Sequence, residues 1–298
     1  MLIIQAQAMG MCFGVEDAIS IAHSLSQPEK VTVLGEIVHN RQVQNDLQNR
    51  GFHSQPEDQR QRLPDTEAVM VTAHGISQTY RRRLAGKDII DTTCPLVTRV
   101  HKTAQRLVSE GFRLILVGKP GHVEVLGISE DFADTVVLPN VESVPAGLGP
   151  RLAILAQTTT PPDLFAEVSR QVERLHPDSE IRRADTICRP TKDRQAAIGQ
   201  LLAKVDALVV VGGANSNNTL RLVEQAQRRG LPSIRVESPE ELQAHWFRGL
   251  NVVGLSAGTS TPRSAIEAVH RRLLEIARSL KRRPQSQRSQ TRALAPVC

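Results

Sequence analysis

Three of the chain's four cysteines, Cys12, Cys94 and Cys188, lie 82 and 94 residues apart, and each precedes, at nearly one interval, a polar residue closing an apolar, strand-like run. His39 comes 27 residues after Cys12, His122 comes 28 after Cys94, and Ser216 comes 28 after Cys188. A second polar strand end then follows each thiol: His74 after 62 residues, Thr158 after 64 and Ser260 after 72. Self-similarity over a long period means a structural unit used repeatedly. The chain reads as one α/β unit present three times, each copy supplying a thiol and two polar groups.

Apolar β-rich runs alternate with helix-period segments, the pattern of parallel sheets covered by crossover helices. Strands are expected at 2–4, 31–34, 68–72, 114–117, 152–156, 208–211 and 252–255. Helices are expected at 15–25, 97–108, 163–175, 194–205, 220–228 and 265–280. The three modules run over 1–90, 91–185 and 186–280, and the Arg-, Gln-, Ser- and Pro-rich stretch 281–298 reads as a flexible basic tail. In open parallel sheets, ligands collect where the strands' carboxyl ends open into loops, and the polar groups above all sit at such ends.

The 298 residues, 40% hydrophobic and 23% charged, can bury a sizeable core. No apolar run approaches a membrane span, and Met1-Leu-Ile-Ile reads as a buried strand rather than a leader. Four scattered cysteines do not make a secreted disulfide framework, so a reducing cytoplasm is expected. Of the net charge of +6, five positive charges lie within 281–298, which leaves the body at +1. With aromatics at 3%, nucleic acid is at most a minor partner of the tail.

The contexts Gly10-Met-Cys12-Phe-Gly14, Asp91-Thr-Thr-Cys94-Pro and Asp185-Thr-Ile-Cys188-Arg-Pro place each sulfur at a turn entering a helix, where unpaired amides favour a thiolate. Any one of them alone reads as a buried small hydrophobe. Together they offer three soft ligands, and no closely spaced pair provides the fourth that structural zinc wants. Three thiolates meeting at one centre would hold an iron–sulfur cubane with one iron open to substrate.

His39, His74 and His122, with the Gly-rich turns 212–218 and 256–260, form a set of hydrogen-bond donors suited to phosphate. Neither a Walker A nor a G-x-G-x-x-G motif is present, so the implied ligand is a small phosphorylated or diphosphorylated molecule rather than a nucleotide. Glu124, two residues past His122, would be raised in pKa inside a cavity and could donate a proton. A metal-dependent phosphohydrolase using the polar ring without redox chemistry is the alternative at this point.

The ordered landmarks Gly10-x-Cys12-x-Gly14-Val, Val38-His39-Asn40-Arg41, Ala73-His74-Gly75, Asp91-x-Thr-Cys94-Pro, Gly121-His122-x-Glu124, Gln157-Thr158-Thr159, Thr186-Ile-Cys188, Asn215-Ser216-x-Asn218 and Ser256-Ala-Gly-x-Ser260 resemble the 4-hydroxy-3-methylbut-2-enyl diphosphate reductase (LytB or IspH) family over residues 1–280. The resemblance implies an α/β fold of three similar lobes, with small, mostly parallel sheets in pseudo-threefold arrangement around a [4Fe–4S] cluster. It implies that Cys12, Cys94 and Cys188 hold the cluster, and that His39, His74, His122, Ser216, Asn217, Asn218 and Ser260 hold the diphosphate. Thr158 would order the substrate hydroxyl and Glu124 would deliver protons. The implied reaction removes the allylic hydroxyl with two electrons and two protons, giving isopentenyl and dimethylallyl diphosphates, with ferredoxin or flavodoxin as electron donor. A related iron–sulfur reductase acting on another phosphorylated allylic substrate is the nearest variant. Asn217 stands where the family usually has serine, Val123 where many members have proline, and Phe13 where alanine is common.

Overall fold

The computed structural model describes residues 1–59 and 62–282. Of the tail expected at 281–298, Lys281 and Arg282 end the last helix, and 283–298, with Cys298, lies outside the described residues. The elements in chain order are β1 (Leu2–Gln5), α1 (Phe13–Ser24), β2 (Val31–Leu34), α2 (Arg41–Asn49), β3 (His53–Gln55), β4 (Ala68–Val71), α3 (Gln78–Arg83), β5 (Asp88–Asp91), α4 (Pro95–Ser109), β6 (Arg113–Val117), α5 (Val123–Ser129) and β7 (Val136–Leu138). They continue with β8 (Arg151–Ala156), α6 (Pro162–Leu175), β9 (Glu180–Ala184), α7 (Arg189–Leu202), β10 (Ala207–Val211), α8 (Asn217–Arg228), β11 (Ser233–Val236), β12 (Val252–Ala257) and α9 (Arg263–Arg282).

The strands form three four-stranded sheets of orders β3-β2-β4-β5, β7-β6-β8-β9 and β11-β10-β12-β1, with every pairing parallel. Each sheet has two inner strands flanked by two outer ones. Inner strands are covered on both faces, and all residues of β2 and β10 are buried. Parallel strands buried on both sides need continuous apolar runs such as Leu-Ile-Leu-Val and Leu-Ala-Ile-Leu-Ala. Fully buried Ile115 and Ile154 pack with Val168 and Val172 of α6 on one face of the second sheet. Leu114, Leu116 and Leu155 pack with Val100 and Leu107 of α4 on the other. Each such side chain contributes about 1.5–3 kcal/mol by leaving water.

The start of the chain departs from the expected module boundaries. β1 does not open the first sheet: Leu2 to Gln5 pair in register with Val252 to Leu255, and Ala6 N donates to Leu255 O at 2.8 Å. The chain accordingly separates into two compact units, one of Met1–Cys12 with Lys192–Cys298 and one of Phe13–Thr191. The repeat is circularly permuted. In each copy the order is inner strand, outer strand, inner strand, outer strand, cysteine, helix; for the third copy the last outer strand, cysteine and helix are β1, Cys12 and α1. The boundary expected at 90/91 falls inside β5, because the module closes only after that strand has delivered Cys94.

Deleting Met1–Gln5 should therefore unprotect the opposite end of the chain. Amide hydrogen exchange is expected to accelerate across Val252–Leu255 while Val31–Leu34 keeps its protection; the reverse pattern would contradict the pairing.

Candidate functional site

One hydrogen bond repeats at each cysteine. Cys94 N donates to Ala73 O at 3.1 Å, Cys188 N to Thr158 O at 3.0 Å, and Cys12 N to Thr259 O at 3.2 Å. Each acceptor is the second residue past an inner strand (β4, β8 or β12), so the same bond ties each thiol's turn to the same point of its own sheet. All three thiols immediately precede helices (α1, α4, α7), and all three are partly exposed rather than absorbed into a core. That exposure disfavours reading them as buried small hydrophobes.

The polar groups repeat as well. Gly35, Gly118 and Gly212 end β2, β6 and β10, and their amides donate to the neighbouring outer strand at 2.8, 3.0 and 2.9 Å. Four residues beyond each glycine come His39, His122 and Ser216. His122 and Ser216 are the N-caps of α5 and α8, and Asn40, next to His39, caps α2 by accepting from Gln42 N and Val43 N. The other set lies three residues past the inner strands: His74 after β4, Thr159 after β8 and Ser260 after β12. Thr158, which the spacing placed with His74 and Ser260, is instead the counterpart of Ala73 and Thr259, the residues whose carbonyls hold the cysteine turns. A one-residue ambiguity in a Thr-Thr-Thr run is invisible to spacing alone.

Within the 13–191 unit the structure brings five of the expected residues together in two groups. The imidazoles of His39, His74 and His122 form a triangle with ring centroids 4.6, 5.3 and 5.4 Å apart. Glu124, on the first turn of α5, is 1% exposed and receives Thr158 N at 2.7 Å and Thr158 Oγ1 at 2.8 Å. Thr158 thus links the Cys188 turn to the acid. Ser216, Asn217, Asn218 and Ser260 belong to the other unit, all four buried, and both amide atoms of Asn218 lack any protein partner. A buried amide left so costs stability unless a ligand satisfies it. Val123 begins α5 and leaves the His122 cap intact.

Burial pushes Glu124 up from the ordinary 4.5 to about 7, the two Thr158 bonds opposing the shift. His74 is held well below the usual imidazole range by burial and by the neighbouring His39 and His122. Burial, His39 and Lys119 bring His122 down to about 3. Crowded imidazoles repel when charged, so His74 and His122 stay neutral until a negative ligand enters.

The ring atoms lie within 4.8 Å of one another, close enough to share a metal ion. The hydrogen-bond pattern favours an anion. His122 Nδ1 accepts Glu124 N at 3.1 Å, so in the neutral ring the hydrogen sits on Nε2 and no lone pair is left for a metal. His39 Nδ1 meets the Glu36 carboxylate at 2.7 Å, and His74 Nε2 is buried without a protein partner. The Glu36 carboxylate accepts the hydrogen of His39 Nδ1 and so orients the ring. Glu36 was missed from sequence; its position three residues before His39 is the only signal that could have revealed it.

The fit of an iron–sulfur cluster can be tested on the cysteine surroundings. A Cβ added to Gly14 would lie 2.5 Å from Cys94 Sγ, so the sulfur rests against bare backbone at the start of α1, two residues after Cys12 in sequence. Cys188 Sγ has a hydroxyl neighbour, Thr191 Oγ1, at 3.1 Å. Soft, partly exposed sulfurs at helix starts, one of them against a glycine that makes room for it, fit a thiolate-bound cluster.

The family model described as LytB protein matches residues 3–274. The chain belongs to the LytB family. A 4-hydroxy-3-methylbut-2-enyl diphosphate reductase of Vibrio parahaemolyticus is 36% identical to this LytB chain over 290 residues, covering 93% of it and 90% of the relative. One from Aquifex aeolicus is 37% identical over 284 residues, covering 92% and 96%. A solved Plasmodium falciparum E-1-hydroxy-2-methyl-but-2-enyl-4-diphosphate reductase superposes with a TM-score of 0.81 at 29% identity, covering 89% of this chain and 86% of that one. A second solved reductase, described as the terminal enzyme of the non-mevalonate pathway, gives 0.63 at 36% identity over 92% and 100%. Among the described residues of this LytB protein, no helix is long and apolar enough to cross a membrane.

The titrations lead to two expected outcomes. Between about pH 4.5 and 7 the folded protein keeps a proton on Glu124 that the unfolded chain has lost, so this group's contribution declines as pH rises through that window. The wild-type minus Glu124→Gln difference in denaturation free energy should fall by at most about 3 kcal/mol from pH 4 to pH 8. Inorganic pyrophosphate should bind with proton uptake by the histidines, seen as a buffer-dependent heat in calorimetry, and more tightly at lower pH; zinc binding at the triangle would show no uptake.

Proposed function

We propose that this protein is a 4-hydroxy-3-methylbut-2-enyl diphosphate reductase, converting its substrate to isopentenyl and dimethylallyl diphosphates at the end of the non-mevalonate route to isoprenoids. The observation that carries the reading is the buried, proton-retaining Glu124 bonded to Thr158, whose carbonyl holds the Cys188 turn. Acid, hydroxyl ligand and thiol are thereby built on one frame.

The reaction consumes one substrate, two electrons and two protons, and releases one hydrocarbon diphosphate and one water. Cys12, Cys94 and Cys188 would hold a [4Fe–4S] cluster, which when bound supplies electrons singly and a Lewis-acidic iron for the hydroxyl oxygen. His39, His74 and His122, together with Ser216, Asn217, Asn218 and Ser260, bind the diphosphate and fix the allylic chain. Thr158 Oγ1 orients the departing hydroxyl. Glu124, holding its proton near neutral pH, delivers it so that oxygen leaves as water rather than hydroxide. Burial of these groups keeps solvent from the allylic fragment. The electrons come from ferredoxin or flavodoxin, since the chain carries no flavin or nicotinamide motif, and the reducing cytoplasm is the compartment.

Protein purified without oxygen should be brown, hold about four irons per chain and be reoxidised by the allylic diphosphate after reduction. Cys12→Ser, Cys94→Ser and Cys188→Ser should each lose the cluster; a full complement of iron in two of the three would overturn the ligand assignment. Glu124→Gln should keep cluster and substrate affinity while turnover drops by roughly 10²-fold or more. Wild-type turnover should decline above about pH 7 as the acid ionises, and loss of that limb in the Gln variant would tie it to Glu124.

A further inference from the structure

The three cysteine turns share one backbone bond but are stiffened by different means. Before Cys94, Asp91 Oδ1 accepts Thr93 N at 2.9 Å, and Thr92 Oγ1 donates to Val71 O at 2.6 Å. Before Cys188, Asp185 Oδ1 accepts Ile187 N at 3.1 Å, and Thr186 Oγ1 donates to Ala156 O at 2.5 Å. In both, an aspartate three residues ahead closes an Asx turn, and a threonine two ahead staples the chain to the sheet. At Cys12 these positions are Met9 and Gly10, with neither carboxylate nor hydroxyl. Gly10 also has φ +80°, a left-handed conformation that glycine adopts freely and leaves easily.

A different group occupies the gap. Arg194, on α7 and 7% exposed, donates Nη2 to Gly10 O at 2.5 Å and to Met11 O at 3.0 Å, with Nε reaching Gly10 O at 3.2 Å. One guanidinium spans the two carbonyls that immediately precede the thiol. The rigid guanidinium holds these three contacts at fixed spacing, which a shorter, flexible ammonium does not do. Gly10 is further confined by α9, since a Cβ there would lie 2.8 Å from Ile266 Cδ1.

We infer that Arg194 is the positioning residue for Cys12, performing for the first cysteine the task that Asp91 and Asp185 perform for the other two. The inference deepens the reductase reading and rests on it for the role of the thiol, while the clamp itself is a property of the metal-free chain. The Cys12 corner of the cluster site therefore depends on a side chain outside its own turn. That corner fails selectively when the fork is removed.

The test compares wild type, Arg194→Gln, Arg194→Lys and Asp91→Ala, each first confirmed as folded by circular dichroism. In apo-protein, amide exchange in the segment 10–13 should accelerate roughly tenfold in Arg194→Gln, as expected on losing charge-assisted bonds of a local turn. The segments around Cys94 and Cys188 should not change. Asp91→Ala should accelerate only the Cys94 segment, and Arg194→Lys, whose flexible ammonium does not hold all three contacts, should accelerate 10–13 in the same direction but less than the Gln variant. After anaerobic reconstitution, Arg194→Gln should show less iron per chain and an altered electron paramagnetic resonance signature of the reduced cluster. Unchanged exchange at 10–13, or equal acceleration at all three cysteines, overturns the clamp. If Arg194→Gln does not fold, Arg194→Lys supplies the same reading. If exchange changes as expected but wild type itself never takes up iron, the clamp stands and the cluster reading falls.

Discussion

The structure depends on a single backbone hydrogen bond made three times: the amide of a cysteine donating to the carbonyl two residues beyond an inner strand. Ala73 shares no side-chain chemistry with Thr158 and Thr259, yet each serves, because the acceptor is the peptide group and its place is set by the sheet. Parallel strands end in register, so the turn leaving an inner strand and the turn leaving its outer neighbour emerge side by side. The cysteine turn comes from the outer strand and the polar turn from the inner one. A thiol and a hydrogen-bonding side chain are thus brought together by topology before any specific contact is considered.

Reading the sequence recovered the six inner strands (β2, β4, β6, β8, β10, β12) and, of the outer ones, only β1. Burial on both faces demands an uninterrupted apolar run, which is visible; an outer strand such as β9, Glu-Ile-Arg-Arg-Ala, is covered on one side at most and reads as polar chain. β11 is largely buried but too short and mixed, at Ser-Ile-Arg-Val, to declare itself. Helices α2, α3 and α5 were missed for related reasons. α2 has two buried apolar residues among nine and relies on its Asn40 cap, while α5 is seven residues with hardly an exposed face to set a period.

The site was legible to the extent that its chemistry follows strand ends. The three thiols and the three histidines stood out by spacing. The expectation that Glu124 would retain a proton agrees with its burial and its shift to about 7. Glu36 and Arg194 were not legible, because both act on neighbours through contacts that only folding creates. The place of β1 was hidden too: an apolar strand at the start of a chain carries no mark of which sheet it will join. Electrostatically the corner is poised rather than satisfied, with His74 and His122 kept neutral by burial and by neighbouring charge, and Glu124 pushed up by desolvation. Such an arrangement stores its response for the arrival of negative charge.

The bond from Cys12 to Thr259 joins nearly the two ends of the described chain. A nascent polypeptide presents its first cysteine early, but the carbonyl that fixes that cysteine, the strand β12 that flanks β1 and the guanidinium of Arg194 all emerge from the ribosome much later. The Cys94 and Cys188 turns can form as their own segments appear. Completion of the three cysteine turns is therefore ordered by synthesis itself: a chain interrupted before residue 259 offers two prepared thiols and one unprepared.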